Sequence, residues 1–354
     1  MATSATGSPV IERLLAARSG ARLLARLGTA EKDAALHAIA DALEDRTAEI
    51  VAANARDLEA GCEAGLSDAL IDRLMLDEQR IAAIAAQVRD IAALADPVGE
   101  VLDGGRRPNG LDIAKVRTPL GVVAIVYEAR PNVTIDAAAL CLKSGNACVL
   151  RGSSSAAHSN EVLASIAAEH VPEGAVQLIA GGGREELSEL ATADGLVDLI
   201  IPRGGEGLKQ ALTAVATVPM IFAASGNCHV YVDEHADPDM ALDIIVNAKC
   251  QRPGVCNAAE TLLVHREIAR SWLPAAAERL RSEGVELRGS DAARAIVPEM
   301  SEATEEDFAT EFLALTLAVD VVDDTDAAID HIGRYGSGHS EAIVTRDVAA
   351  ARAF

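Results

Sequence analysis

The 354-residue chain is short of aromatic residues, which make up 2% of it and include a single tryptophan. Its six cysteines (62, 141, 148, 228, 250 and 256) contain no Cys-x-x-Cys pair. Their spacing suits neither a zinc site nor a disulfide framework. The eight histidines show no His-Glu-x-x-His or similar ligand spacing, so no metal site is expected. No apolar run reaches a membrane-spanning length, and Met1 to Val10 lack a basic-then-apolar leader. A reducing cytoplasm is the expected compartment. Positive charge is also scarce, with 31 Lys and Arg against 54 Asp and Glu, a net of −23. Such a surface disfavours nucleic acid and anionic membrane. It leaves open a locally basic pocket for a phosphorylated ligand.

Half of the residues are hydrophobic, chiefly Ala and Val, in a chain long enough for about two domains with real cores. Residues 8–95 read as helices: Ile11, Leu14 and Leu15, then Leu36, Ile39, Ala40 and Leu43, then Ile81, Ile84, Ala85 and Val88 recur at helical spacing. Thr29 and Asp77 stand where N-caps belong. Turn signals at Asp103-Gly104-Gly105 and Pro108-Asn109-Gly110 flank short runs, so residues 99–118 read as a protruding β arm. An arm of this size cannot bury a core by itself, which suggests a partner subunit.

From Pro119 the pattern alternates. Strands are expected at 121–127, 147–150, 175–179, 196–201 and 218–223, with helices between them. Continuous apolar strands of this kind form parallel sheets, whose ligands sit at the carboxyl ends of the strands. A second unit starts near His229, with strands at 229–232, 261–264, 317–322 and 342–345 and helices at 238–249, 266–281 and 325–334. The expected division is therefore 1–228 and 229–354, the first made of helices, arm and parallel sheet.

The chemistry-bearing residues lie at the joints. Cys256 sits in Lys249-Cys-Gln-Arg-Pro-Gly-Val-Cys-Asn257, a loop forced by Pro253 and Gly254 between a helix and a strand, a good seat for a nucleophile. It could equally be one more buried cysteine. No intact Gly-x-Gly-x-x-Gly is present, but Gly181 to Gly183 and Gly204-Gly205-Glu206-Gly207 are strand-to-helix turns that can offer amides to an anion, or simply turn. Arg151, ending a strand before Gly152 and Ser153, could meet a ribose phosphate, or form a surface ion pair. Arg130 and Asn132 follow another strand; Asn132 could donate to an oxyanion or merely cap a helix.

Taken together, G-V-V-x-I-V-Y-E-A-R-P-N-V-T (121–134), C-L-K-S-G-N-A (141–147), L-R-G (150–152), I-P-R-G-G (201–205), C-H-V-Y-V-D (228–233) and N-A-K-C-Q-R-P-G-V-C-N (247–257) closely resemble the γ-glutamyl phosphate reductase (glutamate-5-semialdehyde dehydrogenase) family of the aldehyde dehydrogenase superfamily. The resemblance implies an α/β, aldehyde dehydrogenase-like fold: a Rossmann-type NADP(H)-binding domain, an α/β catalytic domain and the β arm. It implies NADPH-dependent reduction of L-glutamyl 5-phosphate through a thioester on Cys256, the second step of proline biosynthesis from glutamate. By motif match Asn132 takes the oxyanion position, and Arg151, Gly152 and Ser153 face the adenosine ribose. Arg203, Gly204 and Gly205 form the pyrophosphate turn, and Glu311 meets the nicotinamide ribose. Arg130, Arg252 and His229 are candidates for reading the substrate's α-amino and α-carboxyl groups. A homo-oligomer and functional coupling to glutamate 5-kinase are further implications.

Two departures from the family pattern are visible. Where aldehyde-oxidising relatives carry a glutamate general base, this chain has Ala224-Ser225-Gly226-Asn227-Cys228, without a carboxylate. An oxidase must activate water against its thioester; a reductase must spare it. The chain also stops at Phe354, where the family continues for several tens of residues, so a C-terminally incomplete catalytic domain with exposed apolar surface is expected. The competing readings are a non-catalytic nucleotide-binding or scaffold relative, and a reductase of another acyl phosphate or an acyl-CoA.

Overall fold

The computed structural model of the chain describes residues 8–180, 183–222 and 226–354. The glycines at 181 and 182, and Ala223 to Ser225, therefore lie outside the described residues. The chain forms two compact units, 1–223 and 224–354. The division falls slightly before the expected 228/229 because Cys228 already pairs with Ala259 in the second unit's sheet.

The first unit opens with α1 (Pro9–Leu24), α2 (Thr29–Asp45), α3 (Thr47–Glu63), α4 (Asp68–Leu74) and α5 (Glu78–Ala93). Ser8 caps α1, its hydroxyl accepting the Val10 N–H, with Pro9 in the first turn where its missing donor costs nothing. The buried stripe of α1 is Val10, Leu14, Ala17, Ala21 and Leu24, so Leu15 turns outward, 53% exposed. The apolar residues expected on α2 and α5 are all buried. Asp77 caps α5 by accepting the Arg80 N–H at 2.7 Å. Thr29 does not cap α2: Gly28 holds that place, its N–H taken by Glu31, while the Thr29 hydroxyl donates to Asp96. The arm is an antiparallel pair, β1 (Val101–Arg106) and β2 (Asp112–Val116), exposed along its whole length.

Next come β3 (Val122–Tyr127), α6 (Asn132–Lys143), β4 (Ala147–Arg151), α7 (Ala157–Glu169), β5 (Val176–Leu178), α8 (Arg184–Ala191), β6 (Leu199–Arg203) and α9 (Glu206–Thr213). Among the described residues the four strands form a parallel sheet in the order β5-β4-β3-β6. Among the described residues, the fifth strand expected at 218–223 shrinks to a single bridge between Met220 and Ile200, residue 223 lying outside them. Pro219 has no N–H to donate and breaks the ladder there.

Buried polar groups fix the helices over this sheet. Asp57 of α3 accepts the His158 and Ser159 amides and the Ser159 hydroxyl, tying off the start of α7. Asn54, one turn earlier, bonds Leu74 O, Leu76 N and Ser159 Oγ. Each of these groups is satisfied, so burial specifies position at little cost. α1 approaches even more closely: a Cβ on Gly20 would lie 2.3 Å from the Ala175 nitrogen.

The second unit contains β7 (Cys228–Val232), α10 (Pro238–Cys250), β8 (Ala259–His265), α11 (Arg266–Ser282), β9 (Glu286–Gly289), α12 (Asp291–Arg294), β10 (Ser301–Glu302), α13 (Glu305–Phe308), β11 (Thr316–Val322), α14 (Thr325–Tyr335), β12 (Glu341–Val344) and α15 (Val348–Ala353). Among the described residues its strands form a parallel sheet in the order β10-β9-β11-β8-β7-β12. β9 and β10 had no counterpart in the hydrophobic pattern. No helix among the described residues is long and apolar enough to cross a membrane.

Gly20→Ala forces a methyl group into backbone. It is expected to destabilise the chain by about 2 kcal/mol or more, in the range of overpacked cores. A lowered urea midpoint at unchanged slope would show this; an unchanged midpoint would mean α1 slides away freely.

Candidate active site

α10 is started firmly. Asp237 accepts the Asp239 and Met240 amides, and Pro238 sets the first turn. The helix ends at Cys250, and the chain crosses Pro253-Gly254 to reach β8 at Ala259. Cys256 is exposed on this crossing, as is Arg252. The loop is held from below by backbone. A Cβ on Gly226 would lie 1.4 Å from the Cys256 carbonyl oxygen and 2.7 Å from its Cα, so only glycine fits. The buried Cys228 thiol donates to that same carbonyl at 3.2 Å. Burial, with Glu341 nearby, pushes the Cys228 thiol up to about 11. Cys228 thus stays protonated and supports the loop.

At the base of the loop, Lys249 and Glu260 form an ion pair at 2.5 Å with neither side chain exposed. Burial pulls the lysine pKa down and pushes the glutamate up, and each partner opposes the other's shift. The second Glu260 oxygen accepts the Leu313 N–H at 3.1 Å. Leu313 has φ 52°, a left-handed conformation unusual for leucine. Two residues earlier, Glu311 accepts the Gly226 N–H at 2.7 Å.

His229 is enclosed, 1% exposed. Its Nδ1 lies 3.2 Å from Asn227 O and from Glu341 Oε2, while Nε2 has no protein partner. The ring of His331 meets His229 edge-on at 5.5 Å and Phe308 at 5.1 Å. Burial, aided by His229 and Arg334, lowers the His331 pKa to about 4.

The remaining candidates gather at the carboxyl end of the first unit's sheet. Arg151 and Arg203 flank the end of β3, in register with Val126 and Tyr127. Arg151 is buried, and among the described residues it makes no ion pair. Its Nη2 donates to Gly183 O at 3.0 Å, and its Nε is buried without a partner. Burial lowers its pKa, with Glu186 opposing. Gly152 packs against Asn160, leaving no room for a side chain. The Ser153 hydroxyl accepts the Ser155 N–H and starts the turn into α7. A cavity of about 350 Å³ opens here, bounded by Arg13, Gly152, Ser153, Ser154 and Ile179. Arg203 is exposed, and the Gly205 N–H donates to Glu128 at 3.2 Å, so a carboxylate already favours this turn's amide. Asn132 is the first residue of α6, not its cap, and donates to Asp136 at 2.9 Å. Its amide keeps a second N–H. Arg130 is exposed.

The sequence-predicted residues thus fall into two groups. Asn132, Arg130, Arg151 to Ser153 and Arg203 to Gly205 share one strand end of the first unit. Cys256, Arg252, Glu311 and His229 belong to the second. Lys249, Glu260 and Gly226 went unread as site residues. The available signal was weak: a charged residue in the last turn of α10 and another near the start of the apolar strand β8.

A family model described as "Aldehyde dehydrogenase family" matches residues 2–309. A γ-glutamyl phosphate reductase of Moorella thermoacetica is 55% identical over 343 residues, covering 96% of this chain and 82% of that protein. One from Thermobifida fusca is 54% identical, with the same coverage. The crystal structure of the γ-glutamyl phosphate reductase of Thermotoga maritima superimposes with a TM-score of 0.95 at 43% identity, over 98% of this chain and 85% of that one. A probable aldehyde dehydrogenase of Listeria monocytogenes, 18% identical with a TM-score of 0.68 over 98% of this chain and 83% of its own, shares the fold.

Two outcomes follow from this geometry. Gly226→Ala should displace the Cys256 loop, lowering stability by about 2 kcal/mol and changing the alkylation rate of Cys256 severalfold. Peptide mapping after iodoacetamide treatment reads the latter, and an unchanged rate would exclude the contact. His331 stays neutral in the folded chain down to about pH 4, whereas in the unfolded chain it protonates near 6.5. Its contribution is therefore full above pH 6.5 and is lost as pH falls towards 4, by up to roughly 3 kcal/mol. The drop in urea midpoint between pH 7.5 and 5 should shrink in His331→Leu; equal drops would place the acid sensitivity elsewhere.

Proposed function

Because the chain belongs to the aldehyde dehydrogenase family and, within it, to the γ-glutamyl phosphate reductases, we propose that it reduces L-glutamyl 5-phosphate to L-glutamate 5-semialdehyde and phosphate with NADPH. This is the second step of proline biosynthesis from glutamate. The observation that carries the reading is the exposed Cys256, its backbone seated against Gly226, which belongs to a stretch (224–228) that contains no carboxylate to activate water.

The residues present suit a dinucleotide. The cavity beside Gly152 and Ser153 has room for part of one, and the unpartnered Arg151 Nε is a donor awaiting an acceptor. In this reading Arg151, Gly152 and Ser153 hold the adenosine ribose, Arg203 to Gly205 the pyrophosphate, and Glu311 the nicotinamide ribose. Glu128 yields the Gly205 amide to the incoming anion. When bound, the nicotinamide supplies the hydride that converts the acyl group to the aldehyde.

The Cys256 thiolate attacks the γ-carbonyl carbon, loop amides and Asn132 stabilise the oxyanion, and the phosphate oxygen leaves with its electron pair, giving a thioester. One Glu311 oxygen accepts the Gly226 N–H, which leaves the other for the ribose. After reduction the adduct collapses and Cys256 is regenerated as aldehyde departs. Arg130 and Arg252, both exposed, are the cations proposed for the substrate's α-carboxylate. His229, enclosed in its unit, is placed to support β7 more than to meet the substrate.

The reverse direction avoids the unstable acyl phosphate. NADP⁺ reduction by glutamate 5-semialdehyde should require phosphate and fall at least about 10³-fold in Cys256→Ser. Dependence on coenzyme A in place of phosphate would shift the reading to an acyl-CoA reductase. Cofactor binding without turnover would shift it to a non-catalytic relative.

A further inference from the structure

The Lys249–Glu260 pair is expensive to keep. Both groups are withdrawn from water, and an apolar pair of similar volume would serve the core at least as well. Its position shows another use. Lys249 lies in the last turn of α10, before the nucleophile loop, and Glu260 lies just after it in β8. The contacts close a circuit. Glu260 bonds Lys249 with one oxygen and the Leu313 amide with the other. Leu313 is held left-handed, and the short segment before it carries Glu311 to the Gly226 amide. Gly226 in turn lies against the backbone of Cys256.

We propose that Lys249 and Glu260 are positioning residues: the pair joins the two ends of the Cys256 loop and, through the Leu313 amide, sets the Glu311 segment against it. Lys249 fixes the rotamer of Glu260. Glu260 supplies the acceptor without which Leu313 relaxes out of its left-handed conformation. The inference rests on the reading of Cys256 as nucleophile and Glu311 as a cofactor-binding residue, and adds what holds the two in register.

Two double variants test it. Lys249→Met with Glu260→Leu removes the charges and the acceptor together. Lys249→Met with Glu260→Gln removes the charges but leaves a carbonyl for Leu313. The Leu variant should melt cooperatively within a few degrees of the parent. It should lose at least about tenfold in kcat, the scale of a small misplacement, and show faster amide exchange at Leu313 and an altered Cys256 alkylation rate. The Gln variant should recover the Leu313 exchange rate, because its carbonyl still accepts that amide, while Cys256 alkylation stays altered, because the loop ends remain unjoined. Equally fast Leu313 exchange in both variants would show that the Glu260 carbonyl does not hold that amide and would overturn the proposal. So would parent-like behaviour in both, or loss of folding in the Leu variant, since the pair would then hold the fold. Amide exchange and alkylation need no substrate, so they decide the question even if the proposed reaction fails.

Discussion

A loop that offers a thiol to water has to be anchored by groups that never meet water. Here the anchor is the Lys249–Glu260 pair at the loop's base and the backbone contact between Gly226 and Cys256 beneath it. An exposed crossing between helix and strand would otherwise sample many conformations. Two fixed ends and a backbone floor leave it few, and the surrounding β7, β8 and α10 are arranged to supply those three restraints.

The first unit solves a different problem with the same means. Its sheet must present cations and amides at one end without letting them collapse onto acidic neighbours, in a chain carrying a net charge of −23. Arg151 is sunk into the unit and held by the Gly183 carbonyl, and Glu128 rests on the Gly205 amide. The helices above are stapled by Asn54 and Asp57, whose hydrogen-bonding groups reach the start of α7. Position is thereby specified by satisfied buried polar groups, with the apolar core supplying the bulk of the cohesion.

Much of the architecture was readable from hydrophobic period alone. Continuous apolar runs gave β3, β4, β7, β8 and β11, and the helical stripes of α2 and α5 are buried as their spacing implied. β9 and β10 escaped because Glu286-Leu-Arg-Gly289 and Ser301-Glu302 are short and half polar, and gain strand geometry only from their neighbours. The expected strand at 218–223 failed at Pro219. Of the candidate site, the position of Cys256 on a helix-to-strand crossing was legible from Pro253 and Gly254, while its proposed role came from motif resemblance. Lys249 and Glu260 were not: eleven positions apart across a loop, two opposite charges look like solvated surface until the fold brings them together. Glu311 was named only by resemblance, and its bond to Gly226 is a long-range contact that no local pattern announces.

The β1–β2 ribbon has a consequence for how molecules of this chain behave in solution. Leu102, Ile113 and Val116 on it are each more than two-fifths exposed, on strands with no core of their own. The chain's negative charge keeps copies apart over a distance set by ionic strength, about 8 Å in physiological salt. Salt therefore acts on two opposed terms unequally: it screens the repulsion and leaves the apolar attraction of the ribbon intact. Colloidal stability should follow ionic strength in the direction opposite to that of a protein held together by charge.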